Sequence, residues 1–413
     1  MRGFAVIDCE TTGLNKTGSD RIAEIAIAIY DKHFNLTGQY ETVINPEQDL
    51  GMTSLHGING LMASNAPKFK QVMDAIAYLL NDRVIIGHNV EFDLKFIAHE
   101  FSKENIGINW KNSYIDTLKM AKDANLVTEN NQLATLCSHF EIPLLNAHSA
   151  MADVLATAQL CKALLKLNGN SIPLTDPLQF PEYDFSKDVS NWTSRQHINE
   201  KLELFHNLSS LVRRLPHNAV KELSPQDKHI FLNTLHLCLI NNSFTYREGE
   251  VMKEVILSLS LCQKQVVELQ EEYLGTLLSQ EIIQGRTDSN YDLIRTALYF
   301  TGVEERRVLE MREELLNEPY ILAVRLETFR SLFSLQPGDG LVITGEEFSK
   351  SKSHLKSSLQ TAGFRVLPST TKSGTKALIA NDPYSLSNKA STARRFGIPI
   401  ITEATVERLI GNL

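Results

Sequence analysis

The chain has 413 residues, 43% hydrophobic and 22% charged, with 41 Lys+Arg against 49 Asp+Glu and a formal net charge of −8. At about 100–200 residues per domain the length predicts two to four domains, and the composition excludes a mostly disordered chain. No run of about 18 apolar residues occurs, which excludes a helical membrane span, and −8 taken as a mean argues against an indiscriminate nucleic-acid coat protein.

Met1-Arg2-Gly3-Phe4 runs straight into an apolar alternation, with no h-region or cleavage site. A signal peptide is therefore not expected. Five cysteines lack CxxC spacing and lie inside apolar patterns. They read as reduced, buried thiols of a cytoplasmic protein.

Residues 1–168 alternate strand and helix signals, and 169–194 carry a Pro, Asp and Ser mixture of linker type. Residues 195–335 show helical periodicity almost throughout, and 337–413 return to short apolar strands between helices. Charge divides unevenly: net −5 over 1–168, −7 over 169–336 and +4 over 337–413. The C-terminal segment is basic on an acidic chain.

The first strand reads Phe4-Ala5-Val6-Ile7-Asp8-Cys9-Glu10. Side chains alternate along a strand, so Asp8 and Glu10 share a face, about 7 Å apart. Alone, the pair also fits a solvated strand end. Buried, two such carboxylates are costly unless a cation binds them. Mg²⁺ or Mn²⁺ suits an oxygen set.

Val84-Ile85-Ile86-Gly87-His88-Asn89 is a buried strand running into a turn, and Val90-Glu91-Phe92-Asp93 opens the next helix. Ala147-His148-Ser149-Ala150-Met151-Ala152-Asp153 opens another. Singly, Asp93 and Asp153 fit helix-dipole partners. Together, four carboxylates and one histidine fit two divalent ions about 3.5–4 Å apart, one activating water and one stabilising a leaving oxygen. A neutral imidazole suits the base role near pH 7.

These three segments resemble the DEDDh 3′–5′ exonucleases, the family of the proofreading epsilon subunit of bacterial replicative polymerase. Asp8 through Leu14, His88 through Asp93 and His148 through Asp153 match its three motifs, and Leu55-His56-Gly57-Ile58 matches a further family position. The resemblance implies a ribonuclease-H-like mixed five-stranded sheet with flanking helices. It implies metal ligation by Asp8, Glu10, Asp93 and Asp153, with His148 as general base. Thr11, Thr12, Gly13, Leu14, His56, Asn89 and Phe92 would bind the terminal nucleotide. On the residues alone, His56 also fits a loop cap, and Asp116 an N-cap.

The middle carries an internal repeat with a 42-residue shift: Thr245 with Thr287, Leu261 with Val303, Lys264 with Arg306, Val266 with Val308, and Leu269 with Met311. Such a period predicts paired helical units sharing a core. The layout resembles the tellurite-resistance B-like helical domain, without most of its acidic turn ligands. A scaffold role is expected.

Gly340-Leu341-Val342-Ile343-Thr344-Gly345 begins a strand-and-helix series ending at Ile410. It resembles a BRCT domain, which implies a four-stranded parallel sheet and a phosphate pocket made by Thr344, Gly345, Lys352 and Lys389. Solvated lysines fit the last two positions equally well.

The reading that follows is a metal-dependent 3′–5′ exonuclease releasing nucleoside 5′-monophosphates from DNA 3′ ends, in repair or turnover. Its BRCT-like domain would take a 5′-phosphorylated DNA end or a phosphorylated protein. RNA in place of DNA, and a non-catalytic phosphate-binding scaffold, are the competing readings.

Overall fold

The computed structural model describes the chain apart from residues 1, 16–17, 52, 145–148, 168, 170–171, 173–174, 181–182, 204–207, 218–221, 243–244, 286–287, 346–347 and 411–413. It divides into two units, Met1–Ile198 with Tyr384–Asn388, and Asn199–Pro383 with Lys389–Leu413.

The first unit is built on β1 (Phe4–Thr11), β2 (Ile22–Tyr30), β3 (Leu36–Val43), β4 (Val84–Gly87) and β5 (Tyr114–Asp116), ordered β3-β2-β1-β4-β5. β1–β2 and β2–β3 pair antiparallel, and β1–β4 and β4–β5 pair parallel. The helices are α1 (Thr53–His56), α2 (Gly60–Ser64), α3 (Phe69–Leu80), α4 (Glu91–Lys103), α5 (Thr117–Asp123), α6 (Leu133–His139) and α7 (Ala150–Leu167).

Every residue of β2 is buried, because apolar side chains cover both faces of a strand packed between helical layers. Ala5, Ile7 and Cys9 point to the layer holding α3 and α4. Phe4 and Val6 point to the layer holding α5, α6 and α7. Alternation therefore aims Asp8 and Glu10 at the α7 side of the sheet, at the carboxyl end of β1.

The segment read as a linker belongs to this unit. Leu178 and Phe180 are buried in the α3–α4 core, with Tyr183, Phe185 and Val189 packed beside them. Asp82 donates its N–H to the Leu178 carbonyl, and Val43 donates to Thr193. The Tyr183 hydroxyl donates to Asp74. Pro and Asp content masked these anchors because their spacing follows no helical or strand period.

α8 (Arg195–Glu203) begins in the first unit and ends in the second, which continues with α9 (Ser209–Val212), α10 (Pro225–Leu239), α11 (Tyr246–Ser258), α12 (Gln263–Gln284), α13 (Asp288–Thr301), α14 (Glu305–Asn317) and α15 (Pro319–Ser331). The 42-residue shift superposes α11–α12 on α13–α14 in sequence. Each pair breaks at a left-handed residue, Ser260 at φ 54° and Gly302 at φ 71°. Val266, Leu269 and Met311 all enter one core. Thr287 lies outside the described residues.

β6 (Gly340–Thr344), β7 (Arg365–Leu367), β8 (Ala377–Ala380) and β9 (Ile400–Ile401) follow, ordered β7-β6-β8-β9 and all parallel. Leu355 and Leu359 of α16 (Lys352–Thr361) and Val406 of α18 (Glu403–Ile410) cover one face. Ala390 and Ala393 of α17 (Asn388–Phe396) cover the other.

Candidate active site

The loop after β1 is held by its own polar side chains. Thr11 Oγ1 donates to the Gly13 carbonyl at 2.7 Å. Thr12 is buried, and its Oγ1 accepts from Arg21 N–H at 3.0 Å and from Gln48 Nε2 at 2.9 Å. Gly51 sits at φ +65°, where a Cβ would lie 2.1 Å from the Thr12 carbonyl oxygen. No side chain fits there. Leu14 stands 70% exposed beside this loop.

Asp8, Glu10 and Asp153 each bring a carboxylate oxygen within 4.8 Å of the others. β1 supplies two of them, and the first turns of α7 supply the third. Asp93 is buried in the first turn of α4, but it is not part of this mutual set. Its Oδ1 accepts the Cys9 backbone N–H at 2.9 Å, between the two β1 ligand candidates. The four carboxylates still act on one another. Burial pushes Asp8 well above the usual carboxylate range, and Asp93, Asp153, Glu10 and Glu24 add to it. Burial lifts Glu10 to about 7, reinforced by Glu24 and Asp153 and opposed by Arg195. Burial lifts Asp93 to about 8.

Packed carboxylates with raised proton affinity fit a divalent cation, whose charge reverses the local field. The donor set is all oxygen, which suits Mg²⁺ or Mn²⁺. His148 lies outside the described residues. Ser149 and Ala150, directly after it, are described and lead into α7.

The remaining predicted residues divide. His56 is buried, with Nδ1 accepting the Ile58 N–H at 3.1 Å and Nε2 3.3 Å from the Leu50 carbonyl. Its ring caps a loop. Asn89 is exposed at φ 64°, and its N–H donates to Asp116 Oδ1. The same oxygen accepts from Leu118 N–H, so Asp116 caps α5. Phe92 is half-buried against Phe96, with ring centroids 4.9 Å apart.

Two participants escaped the sequence reading. Glu24 stands opposite Glu10 across the β1–β2 ladder and is buried. Arg195 makes a two-pronged ion pair with it, Nε to Oε1 and Nη2 to Oε2, both at 2.7 Å. The signal was present in Ile22-Ala23-Glu24-Ile25-Ala26-Ile27, where a carboxylate inside a fully apolar strand demands a partner.

In the second unit, Lys389 Nζ donates to the Ile343 carbonyl at 3.3 Å, and burial with Lys352 nearby lowers its pKa. Lys352, Lys356 and Lys389 line a cavity of about 410 Å³ with Ser353 and Pro368. Thr344 is buried at the end of β6, and Gly345 follows at φ +90°.

The mixed sheet carries the carboxylate cluster at the carboxyl end of β1, and residues 5–161 match the family described as Exonuclease. Among relatives, the chain is similar to 3′-5′ exonuclease DinG of Staphylococcus haemolyticus, 30% identical over 284 residues, covering 68% of this chain and 29% of that protein. It is also similar to DNA polymerase III PolC-type of Bacillus subtilis, 33% identical over 165 residues, covering 40% of this chain and 11% of that protein. The chain thus spans less than a third of the length of these relatives. A solved structure of E. coli exonuclease I in complex with a dT13 oligonucleotide is similar at 15% identity and TM-score 0.36, covering 79% of this chain and 84% of that one. Among the described residues no helix is long and apolar enough to cross a membrane.

Proposed function

We propose that this protein is a metal-dependent 3′–5′ exonuclease that releases nucleoside 5′-monophosphates from DNA 3′ ends, in DNA repair or turnover. The observation that carries the reading is the convergence of Asp8, Glu10 and Asp153 within 4.8 Å inside a domain matching the Exonuclease family. The names of the relatives, a 3′-5′ exonuclease and a DNA polymerase, support the direction and the polymer.

Asp8, Glu10, Asp153 and Asp93 would hold two divalent cations, Mg²⁺ or Mn²⁺, which supply Lewis-acid stabilisation of the phosphoryl oxygens. Asp93 also accepts the Cys9 backbone N–H, between Asp8 and Glu10. His148, five positions before Asp153, takes the proton of the attacking water. Thr11, Thr12 and Gly13 shape the loop under the terminal nucleotide. Leu14 and Phe92 offer apolar surface for its base, a sequence-tolerant mode of holding a single strand. His56 would act through the loop its ring caps, and Asn89, held by Asp116, would present its exposed side chain to the nucleotide.

The C-terminal sheet is proposed to be a BRCT domain. Its order β7-β6-β8-β9 and the three lysines Lys352, Lys356 and Lys389 around one cavity support a phosphate pocket, with Thr344 and Gly345, next to the lining residue Ile343, proposed to complete it. The ligand would be a 5′-phosphorylated DNA end or a phosphorylated protein.

The test is degradation of 3′-labelled DNA and RNA strands with Mg²⁺ or Mn²⁺ and with chelator. Mononucleotide release from DNA, abolished by chelator and by Asp8→Ala, is expected. Metal-independent activity, or full activity in Asp8→Ala, overturns the assignment, and preferential RNA degradation overturns the choice of polymer.

A further inference from the structure

We propose that Arg195 is a positioning residue of the exonuclease site: it clamps Glu24 onto the start of α7 and the His56 loop onto the same anchor, so the segment after the exonuclease match is part of the catalytic unit. The proposal rests on the exonuclease reading and adds to it a residue that lies outside positions 5–161.

Three elements meet at one ion pair. Glu24 Oε1 and Oε2 accept from Arg195 Nε and Nη2, each at 2.7 Å. Glu24 Oε2 also accepts the Ala150 backbone N–H at 3.0 Å. Arg195 Nη1 donates to the His56 carbonyl at 2.6 Å. Ala150 is the first residue of α7, where backbone N–H groups lack intrahelical partners and a carboxylate is favoured. It lies two residues after His148 and three before Asp153. One bond from Glu24 therefore pins the chain between the proposed base and a metal ligand.

Electrostatics give Arg195 a second reason to be there. Glu24 faces Glu10 across the ladder, and like charges directly opposite destabilise a sheet. A buried Glu24 beside Glu10 needs a cation to balance its charge, and Arg195 supplies one that also opposes the rise at Glu10. A planar guanidinium does this with two parallel bonds, and a lysine point charge does it with less directional control. The side chains are 22% and 4% exposed, so the pair is shielded from salt.

The experiment uses the full chain and 3′-labelled single-stranded DNA with Mg²⁺. Arg195→Ala should lower kcat by about 10- to 100-fold, the scale of a small misplacement of catalytic groups, with KM within about twofold. Arg195→Lys should recover part of the loss. Glu24→Ala should match Arg195→Ala, and the double variant should be no worse than the more impaired single one. Hydrogen exchange at the peptide containing Ala150 should accelerate in Arg195→Ala, with or without Mg²⁺.

Unchanged kcat with only a lowered Tm overturns the proposal. So does a loss confined to KM that multiplies with Glu24→Ala, which would make Arg195 a substrate contact. If the unmutated protein releases no mononucleotide, the exonuclease reading fails separately. Unchanged exchange at Ala150 then overturns the clamp independently of activity.

Discussion

Asp93 Oδ1 accepts the backbone N–H of Cys9 at 2.9 Å, so the fourth acidic residue grips the strand between Asp8 and Glu10. Asp93→Asn keeps an acceptor for that N–H and removes the charge. It should leave Tm within about 2 °C and cut kcat at least about 100-fold. Asp93→Ala leaves a buried donor unpaired and should also cost about 1–3 kcal/mol of stability in denaturant unfolding. Equal stability losses in the two variants would contradict this division.

The carboxylate cluster makes the metal-free protein sensitive to alkali. Burial and mutual repulsion raise Glu10 to about 7 and Asp93 to about 8, above their ordinary values of 4.5 and 3.8. The folded state binds these protons more tightly than the unfolded state. The stability they contribute is full below about pH 4 and is lost as pH rises towards 7–8. In chelator, Tm of the unmutated protein relative to Glu10→Gln should fall from pH 5 to pH 8, and Mg²⁺ or Mn²⁺ should reverse the fall. A relative Tm that rises with pH in chelator would refute it.

His236 works in the opposite sense in the second unit. It is buried with Nδ1 3.0 Å from the Tyr273 hydroxyl, and burial lowers its pKa from 6.5 to about 4. The depressed value means its stabilising contribution is complete above pH 6.5 and disappears as pH falls towards 4. The loss should be about 3 kcal/mol. Urea unfolding followed at pH 7 and pH 4.5 should show a smaller difference in His236→Gln.

Leu178 distinguishes a linker from a structural segment. Its side chain is fully buried in the α3–α4 core. Leu178→Ala should destabilise the first unit by about 2–5 kcal/mol, the cost of a core cavity. A linker residue would change stability by no more than about 0.5 kcal/mol. Thermal unfolding of the full chain reads the difference.

Lys389→Glu tests the proposed phosphate pocket. Lys352 and Lys389 both line the cavity, and burial, with a further contribution from Lys352, lowers the Lys389 pKa. Charge reversal should weaken binding of a 5′-phosphorylated duplex or phosphopeptide about tenfold. Binding of the unphosphorylated probe should not change. Equal effects on both probes would return these lysines to solvated positions.

The sequence by itself determined the elements and the identity of the ligand candidates. Period-two alternation places Asp8 and Glu10 on one face of β1, and that follows from backbone geometry alone. The 42-residue repeat announces two helix pairs, because each pair needs its neighbour to bury an apolar face. The glycine-rich opening at Pro337-Gly338-Asp339-Gly340 announces the last sheet. These features are local, or they repeat locally.

Only the tertiary structure decided what each charge is for. Glu24 and Arg195 are 171 positions apart, and no spacing rule connects them. Asp93 meets Cys9 through a backbone N–H, a partner that every residue except proline offers and no sequence pattern marks. Leu178 and Phe180 sit in a polar, proline-bearing stretch, and burial there depends on the surface that α3 and α4 present. Composition records which residues are available, and long-range packing selects which of them neutralise, cap or anchor one another.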